Sequence, residues 1–127
     1  MRIKKVFAQN FRSIRATTIE LTGFDCFVGP NNSGKSNLFD VFSFLADTAT
    51  AGLGSAIHRR DPERLHHYAA PEAEPIVVEV AVEMPPSSAY GHVEYTLAFH
   101  AANARLEREN LNGFASPGEA TTLYAAQ

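Results

Sequence analysis

Residues 29–36 read Gly29-Pro30-Asn31-Asn32-Ser33-Gly34-Lys35-Ser36. This is the pattern G-x-x-x-x-G-K-[ST]. It constrains the fold more than any other stretch, because its chemistry works only between a strand and the start of a helix. Gly29 and Gly34 permit turns that a side chain would block and let backbone approach a ligand closely. Successive N–H groups of such a loop form an anion nest, and the following helix adds its N-terminal donors and the positive end of its dipole. Lys35 brings an ammonium to the outer phosphate oxygens, and Ser36 a hydroxyl to a magnesium ion. The four fixed positions match by chance in roughly one chain in a few hundred of this length, so the flanks decide. Upstream, Phe24-Asp25-Cys26-Phe27-Val28 is a mostly apolar run of strand length. Downstream, Leu38, Val41, Phe42 and Leu45 recur at helical spacing, Phe39 and Phe44 widen the apolar face, and Asn37, Asp40, Ser43 and Asp47 fall between. The flanks predict strand, loop and a helix from Lys35 to about Thr48. The plain alternative is a Gly/Ser turn carrying a stray lysine, and motif and context together weigh against it.

The 127 residues favour one domain or part of one. A hydrophobic fraction of 45% and a charged fraction of 20% are those of a soluble globular protein. A formal net charge of −3 gives no global argument for nucleic acid. Cys26 is the single cysteine, so no intrachain disulfide forms, which fits a reducing cytoplasm; its expected place is a buried strand. No stretch approaches the ~18 apolar residues of a membrane span, and Val6 to Ile14 is too interrupted by Gln9, Asn10, Arg12 and Ser13 for a signal peptide.

Met1 to Phe11 reads as an opening strand with Ile3, Val6 and Phe7 buried. Asn10-Phe11-Arg12-Ser13 is a turn or bulge, and Arg15 to Leu21 a second strand. Thr22-Gly23 then leads into a third, Phe24 to Val28. Ala49 to Glu74 is broken by Gly52, Gly54, Pro62 and Pro71, with a short helix over Arg59 to His67 signalled by Asp61-Pro62-Glu63. Pro75 to Met84 is the clearest strand: Ile76, Val78, Val80, Val82 and Met84 share one face, Glu79 and Glu83 the other. His92 to Ala101 alternates likewise, with Val93, Tyr95, Leu97 and Phe99 on one face. Asn103-Ala104 permits a turn, Arg105 to Leu111 is a weaker strand, Asn112-Gly113 ends it, and Ser116 to Gln127 has no clear pattern. Such strands suggest an antiparallel meander packed on one side. His58, His66, His67, His92 and His100 form no metal-ligand spacing with each other or with Cys26.

Two further signals sit around the loop: Asn10-Phe11-Arg12-Ser13-Ile14 before it, and Asn37-Leu38 directly after Ser36. With the antiparallel strands, they make the chain resemble the N-terminal part of ABC-type AAA ATPases, the RecF, structural-maintenance-of-chromosomes and OLD-like group. The resemblance runs to about Leu111. It implies an α/β fold of mixed α+β character: the N-terminal lobe of a P-loop NTPase, with central strands, a P-loop helix and an antiparallel β subdomain. The expected layout is one incomplete domain over 1–127, with strands, loop and helix in 1–50, an irregular connection in 51–74, antiparallel strands in 75–111 and a tail in 112–127. The resemblance also implies ATP and Mg²⁺ as ligands. Gly29, Pro30, Asn31, Asn32, Ser33, Gly34, Lys35, Ser36 and Asn37 would line the phosphates, with Lys35 as the catalytic cation and Ser36 on the metal. Asn10, Arg12 and Ser13 would lie near base, ribose or phosphates. For Arg12 the plain alternative is a solvated turn charge.

The departures matter as much. Family members complete the site with an Asp-Glu strand, a Leu-Ser-Gly-Gly-like signature loop and a switch histidine, and this sequence has none of them. The expectation is therefore an ATP-binding first lobe that binds weakly without turnover, hydrolysis belonging to the complete protein with its missing C-terminal lobe. A homodimer sandwiching ATP is carried over from the family, and DNA is a partner of the parent protein only by analogy. Two rivals stand beside this reading. One is a small P-loop kinase or other NTPase using Arg59, Arg60 and Arg64, whose plain alternative is a solvated helix or loop. The other is a non-hydrolysing interaction module acting through exposed strand edges.

Overall fold

The computed structural model describes residues 1–30, 34–115 and 120–127. Its frame is one six-stranded sheet: β1 (Arg2–Phe11), β2 (Ile14–Glu20), β3 (Ile76–Glu83), β4 (His92–His100), β5 (Arg105–Phe114) and β6 (Ala120–Ala126), in spatial order β2-β1-β3-β4-β5-β6. Every neighbouring pair is antiparallel. The long connection from β2 to β3 carries the loop and three helices, α1 (Lys35–Ala51), α2 (Leu53–His58) and α3 (Pro62–Leu65).

Strand alternation sets the core. Val6 faces Val80, Ala8 faces Val78, and Val78 and Ile76 in turn face Leu97 and Phe99. These residues lie on one side of the sheet, and α1 covers them with Val41 and Phe44, both fully buried. The Phe44 ring stacks on Phe99 at 5.1 Å and meets the edge of Phe11 at 5.6 Å, the offset and edge-on arrangements that aromatic rings prefer. The architecture is thus an antiparallel sheet with helices on one face, without the central strands expected for an α/β lobe. Ile3 joins Val6 on the core side because the register shifts between Ile3 and Lys5. Phe7 was expected in the core, yet period two turns it to the opposite face beside Lys5 and Glu79.

Three other expectations give way. Phe24 to Val28 forms no strand: β1 is already flanked by β2 and β3, and no described strand runs beside 24–28. An extended segment without a partner has nowhere to place its N–H and C=O groups except water. Phe24 and Val28 are 94% and 89% exposed, and Cys26 is exposed as well rather than buried. Second, Asn112-Gly113 does not end β5. Gly113 is there for space: a Cβ on it would lie 2.6 Å from the ring of Tyr90. Third, the expected tail contains β6. The connection 51–74 holds two short helices, α3 beginning at the predicted Asp61-Pro62.

Candidate functional site

The site is assembled where the β1–β2 hairpin meets the start of α1. Gly34 adopts φ 90°, a left-handed conformation that side chains resist, and its C=O accepts the first helical bond from Leu38 N at 3.0 Å. Among the described residues no side chain caps this end, and no acidic residue stands in the first turn. The N–H groups of that first turn have no intrahelical acceptor, so with the dipole they form a site for a negative charge. A Cβ on Gly34 would find Ser13 Oγ at 3.8 Å. The Asn37 side-chain amide donates to that same hydroxyl. Ser13 and Asn37 are thereby brought together against the helix N-terminus, although 24 residues separate them in sequence.

Lys35 Nζ donates to the carbonyls of Gly29 and Pro30, the latter at 2.9 Å. The ammonium is therefore curled over the backbone at the start of the loop. Ser36 is exposed. Asn31, Asn32 and Ser33 lie outside the described residues. A cavity of about 420 Å³ opens beside Gly34 and Lys35, with Ser13, Ile14, Ile19, Phe27, Val28 and Leu38 in its walls. The donor set fits a chain of phosphates: backbone N–H groups, one ammonium, and glycine where a side chain would intrude. For a magnesium ion the described residues offer the Ser36 hydroxyl. The nearest carboxylate along α1, Asp40, is taken by Arg12 and Arg60.

Arg12 lies one helical turn beyond Ser13's contact. It has φ 50°, its N–H donates to Leu65 O at 2.7 Å, and its Nε donates to Asp40 Oδ2 at 2.6 Å. It is thus not a free solvated charge but is held in an ion pair with Asp40 of α1. Asn10 is fully buried with φ 57°. Its amide donates to Pro75 O at 3.0 Å and Glu74 Oε2 at 3.2 Å, its side-chain oxygen accepts from Arg15, and its backbone C=O accepts from His67 N. These bonds tie the end of β1 to the segment between α3 and β3.

The three arginines weighed as a substrate site or a solvated face part company: Arg59 and Arg64 are exposed, and Arg60 is enclosed. Arg60 has a side chain only 7% exposed; it reaches Asp40 at 3.0 Å, Asp47 at 2.6 Å and Ser43 Oγ at 2.9 Å, and lies over the Phe44 ring at 5.4 Å. Arg59 pairs with Asp47 and Arg64 with Asp61. The signal available in sequence was the spacing of Asp40 and Asp47, two turns apart on one helix face. Among the described residues no His, Cys, Asp and Glu group is arranged to hold a metal ion, and no helix is long and apolar enough to cross a membrane.

Comparison with known proteins bears on this geometry. The chain is 36% identical over 50 residues to the chromosome partition protein Smc of Methanocaldococcus jannaschii, covering 39% of this chain and 4% of that protein. It is 36% identical over 53 residues to structural maintenance of chromosomes protein 1B of Mus musculus, covering 40% of this chain and 4% of that protein. The chain therefore spans only a small part of the length of these relatives. Among solved structures, an SMC ATPase described for ATP-driven dimerization and DNA-stimulated activation superimposes with a TM-score of 0.65 at 23% identity, covering 91% of this chain and 72% of that one. The recombination mediator RecF in its ATP complex gives a TM-score of 0.59 at 22% identity, covering 93% of this chain and 29% of that one. At such identities these two likenesses speak for the fold, that of P-loop NTPases. A family model described as an AAA ATPase domain matches residues 1–98. The chain belongs to the AAA ATPase domain family.

Proposed function

We propose that this chain is the ATP-binding N-terminal portion of an ABC-type ATPase, holding the phosphates of Mg-ATP at the N-terminus of α1. The observation that carries the reading is the convergence of Gly34, Ser13 and Asn37 at the start of α1, with Lys35 folded over the Gly29 and Pro30 carbonyls. In this reading Lys35 Nζ exchanges its carbonyl partners for phosphate oxygens, a short movement of a flexible side chain. The N–H groups of Lys35, Ser36 and Asn37 bind the anion. Ser13 holds Asn37, and so the first turn, in place. Mg²⁺, when bound, neutralises charge on the outer phosphates, with the Ser36 hydroxyl as the ligand this chain provides.

Phosphoryl transfer needs, beyond the cradle, a group that orients the attacking water and an acidic partner for the metal. Of the described carboxylates on α1, Asp40 and Asp47 are both committed to arginines. The chain alone is therefore assigned binding without turnover, and hydrolysis to the complete protein. A dimer of such lobes around ATP is the assembly that accords with the ATP-driven dimerization named for the SMC neighbour. The test is calorimetric titration of Mg-ATP into the chain and into Lys35→Ala. Loss of an ammonium–phosphate contact weakens binding by about tenfold or more. Equal affinities for the two chains would remove the phosphate assignment.

A further inference from the structure

A second cavity, of about 460 Å³, opens where the segment after α3 meets the end of β4. It shares no wall residue with the cavity beside Gly34 and Lys35, and its volume falls in the range of small-molecule sites. Three features define its chemistry. His67, in its wall, is only 7% exposed. The ring's Nδ1 accepts from Ala69 N at 3.1 Å, so the ring proton sits on Nε2. That N–H has no acceptor among the described residues, yet no described buried side-chain nitrogen is sealed off without a partner. Nε2 therefore reaches the space that the ring lines, as a fixed donor aimed into the cavity. Next to it, the Tyr68 ring stacks on His67 at 4.7 Å and 21°, and Tyr68 is 92% exposed, so its outer face is uncovered. Glu63 and Glu72, both exposed, bring carboxylates to the wall, and no lysine or arginine stands there with them.

We propose that this cavity binds a neutral, planar amino-heteroaromatic molecule, of the class of an unphosphorylated nucleoside. A ring nitrogen of the ligand accepts from His67 Nε2, its amino group donates to Glu63 or Glu72, and its flat face lies on Tyr68. Other chemistries meet only part of this wall. A phosphate or carboxylate would face Glu63 and Glu72 with no cation to offset them. A metal ion needs a lone pair, whereas His67 presents a proton. His66 and His100, also in the wall, each spend a ring nitrogen on Glu74 O and Glu107, and no described group is arranged for a metal. A simple ammonium would satisfy the glutamates and leave the His67 donor unanswered, and an apolar molecule would leave both unanswered. A flat ring that carries an acceptor and an amino donor side by side answers all three features. The site uses neither Gly34 nor Lys35, so it stands independently of the ATP-binding proposal.

The test is NMR of the 127-residue chain titrated with adenosine, with Tyr68→Ala alongside. The expected result is saturable amide shifts at Tyr68, Ala70 and Ala101, a His67 Nε2 resonance that moves with the same midpoint, and Gly34 to Asn37 unmoved. Tyr68→Ala changes an exposed side chain and weakens binding by about fivefold or more, the loss of one base–aromatic stack. Purine riboside keeps the ring nitrogens and lacks the amino group; it binds about fivefold more weakly than adenosine. No saturable shift up to about 5 mM adenosine, shifts centred on Gly34 to Asn37, an unmoved His67 Nε2, undiminished affinity in Tyr68→Ala, or equal affinity for purine riboside would each overturn the proposal.

Discussion

Arg12 Nε donates to Asp40 Oδ2 at 2.6 Å, fastening the turn between β1 and β2 to the second turn of α1. The other oxygen of the same carboxylate accepts from Arg60 Nε at 3.0 Å, and Arg60 continues to Asp47 at 2.6 Å. Two aspartates on one face of α1 thus gather arginines from the hairpin and from the segment after α2. The helix that starts at the loop is held along its polar side by these pairs and along its apolar side by Phe11 and Phe99.

Arg60 is the member whose removal costs most. Its guanidinium is almost enclosed and satisfied by Asp40, Asp47, Ser43 and the Ala56 carbonyl. Arg60→Met leaves those acceptors short of a charged donor and destabilises the chain by on the order of 2 kcal/mol. Arg59 is more than half exposed, and Arg59→Met changes stability by less than about 0.5 kcal/mol. Urea denaturation of both variants checks the contrast.

Acid will expose the same pairs. The hydrogen bond from Arg60 holds the Asp47 carboxyl below its ordinary 3.8. Arg15, and then Asn10, hold Glu74 below its ordinary 4.5, and Arg2 does the same for Glu83. A carboxyl depressed in the folded state is protonated first in the unfolded chain. Its stabilisation is complete above the ordinary value and drains away as pH falls through that value and below. The urea midpoint is therefore expected to fall as pH drops below 4.5, with a shallower fall in Asp47→Asn. An identical pH profile for that variant would mean that the pair does not stabilise the fold.

Much of this was legible in the sequence, and the failures have physical causes. β3 and β4 were plain because large apolar residues alternate along them, Ile76 and Val78 in one and Leu97 and Phe99 in the other, which is what period two records. α1 was plain because Leu38, Val41 and Phe44 recur at helical spacing and become its buried face. β6 carried no pattern because nearly all of it is exposed on both faces, so nothing selects alternation. Phe24 to Val28 looked like a strand because apolar composition speaks for burial, whereas strand formation also needs a neighbour. α2 was hidden by Gly52, which ends α1 at φ 84° and also accepts from Ala56 N to start the next helix. Arg60 read as a surface charge because its partners lie 13 and 20 residues away.

Asn10 separates fold from site. Its side chain is buried and fully bonded, and its φ of 57° suits asparagine better than alanine. Asn10→Ala leaves Arg15 and Pro75 O without their partner and adds backbone strain, costing about 2 kcal/mol. Because the amide is spent on Glu74, Pro75 O and Arg15, the affinity of the folded variant for Mg-ATP stays within about twofold of the parent's. Thermal unfolding together with calorimetric titration reads both numbers, and a large loss of affinity at unchanged stability would bring Asn10 back to the nucleotide.

The central claim is that the first turn of α1 receives the phosphates. Backbone amide NMR of the chain during titration with Mg-ATP tests it most directly. The account predicts the largest shifts at the N–H groups of Gly34, Lys35, Ser36 and Asn37, with Ser13 following and β4 and β5 still. Shifts centred on β4 and β5 or on the α2–α3 segment, with Gly34 to Asn37 unmoved at saturation, would contradict it.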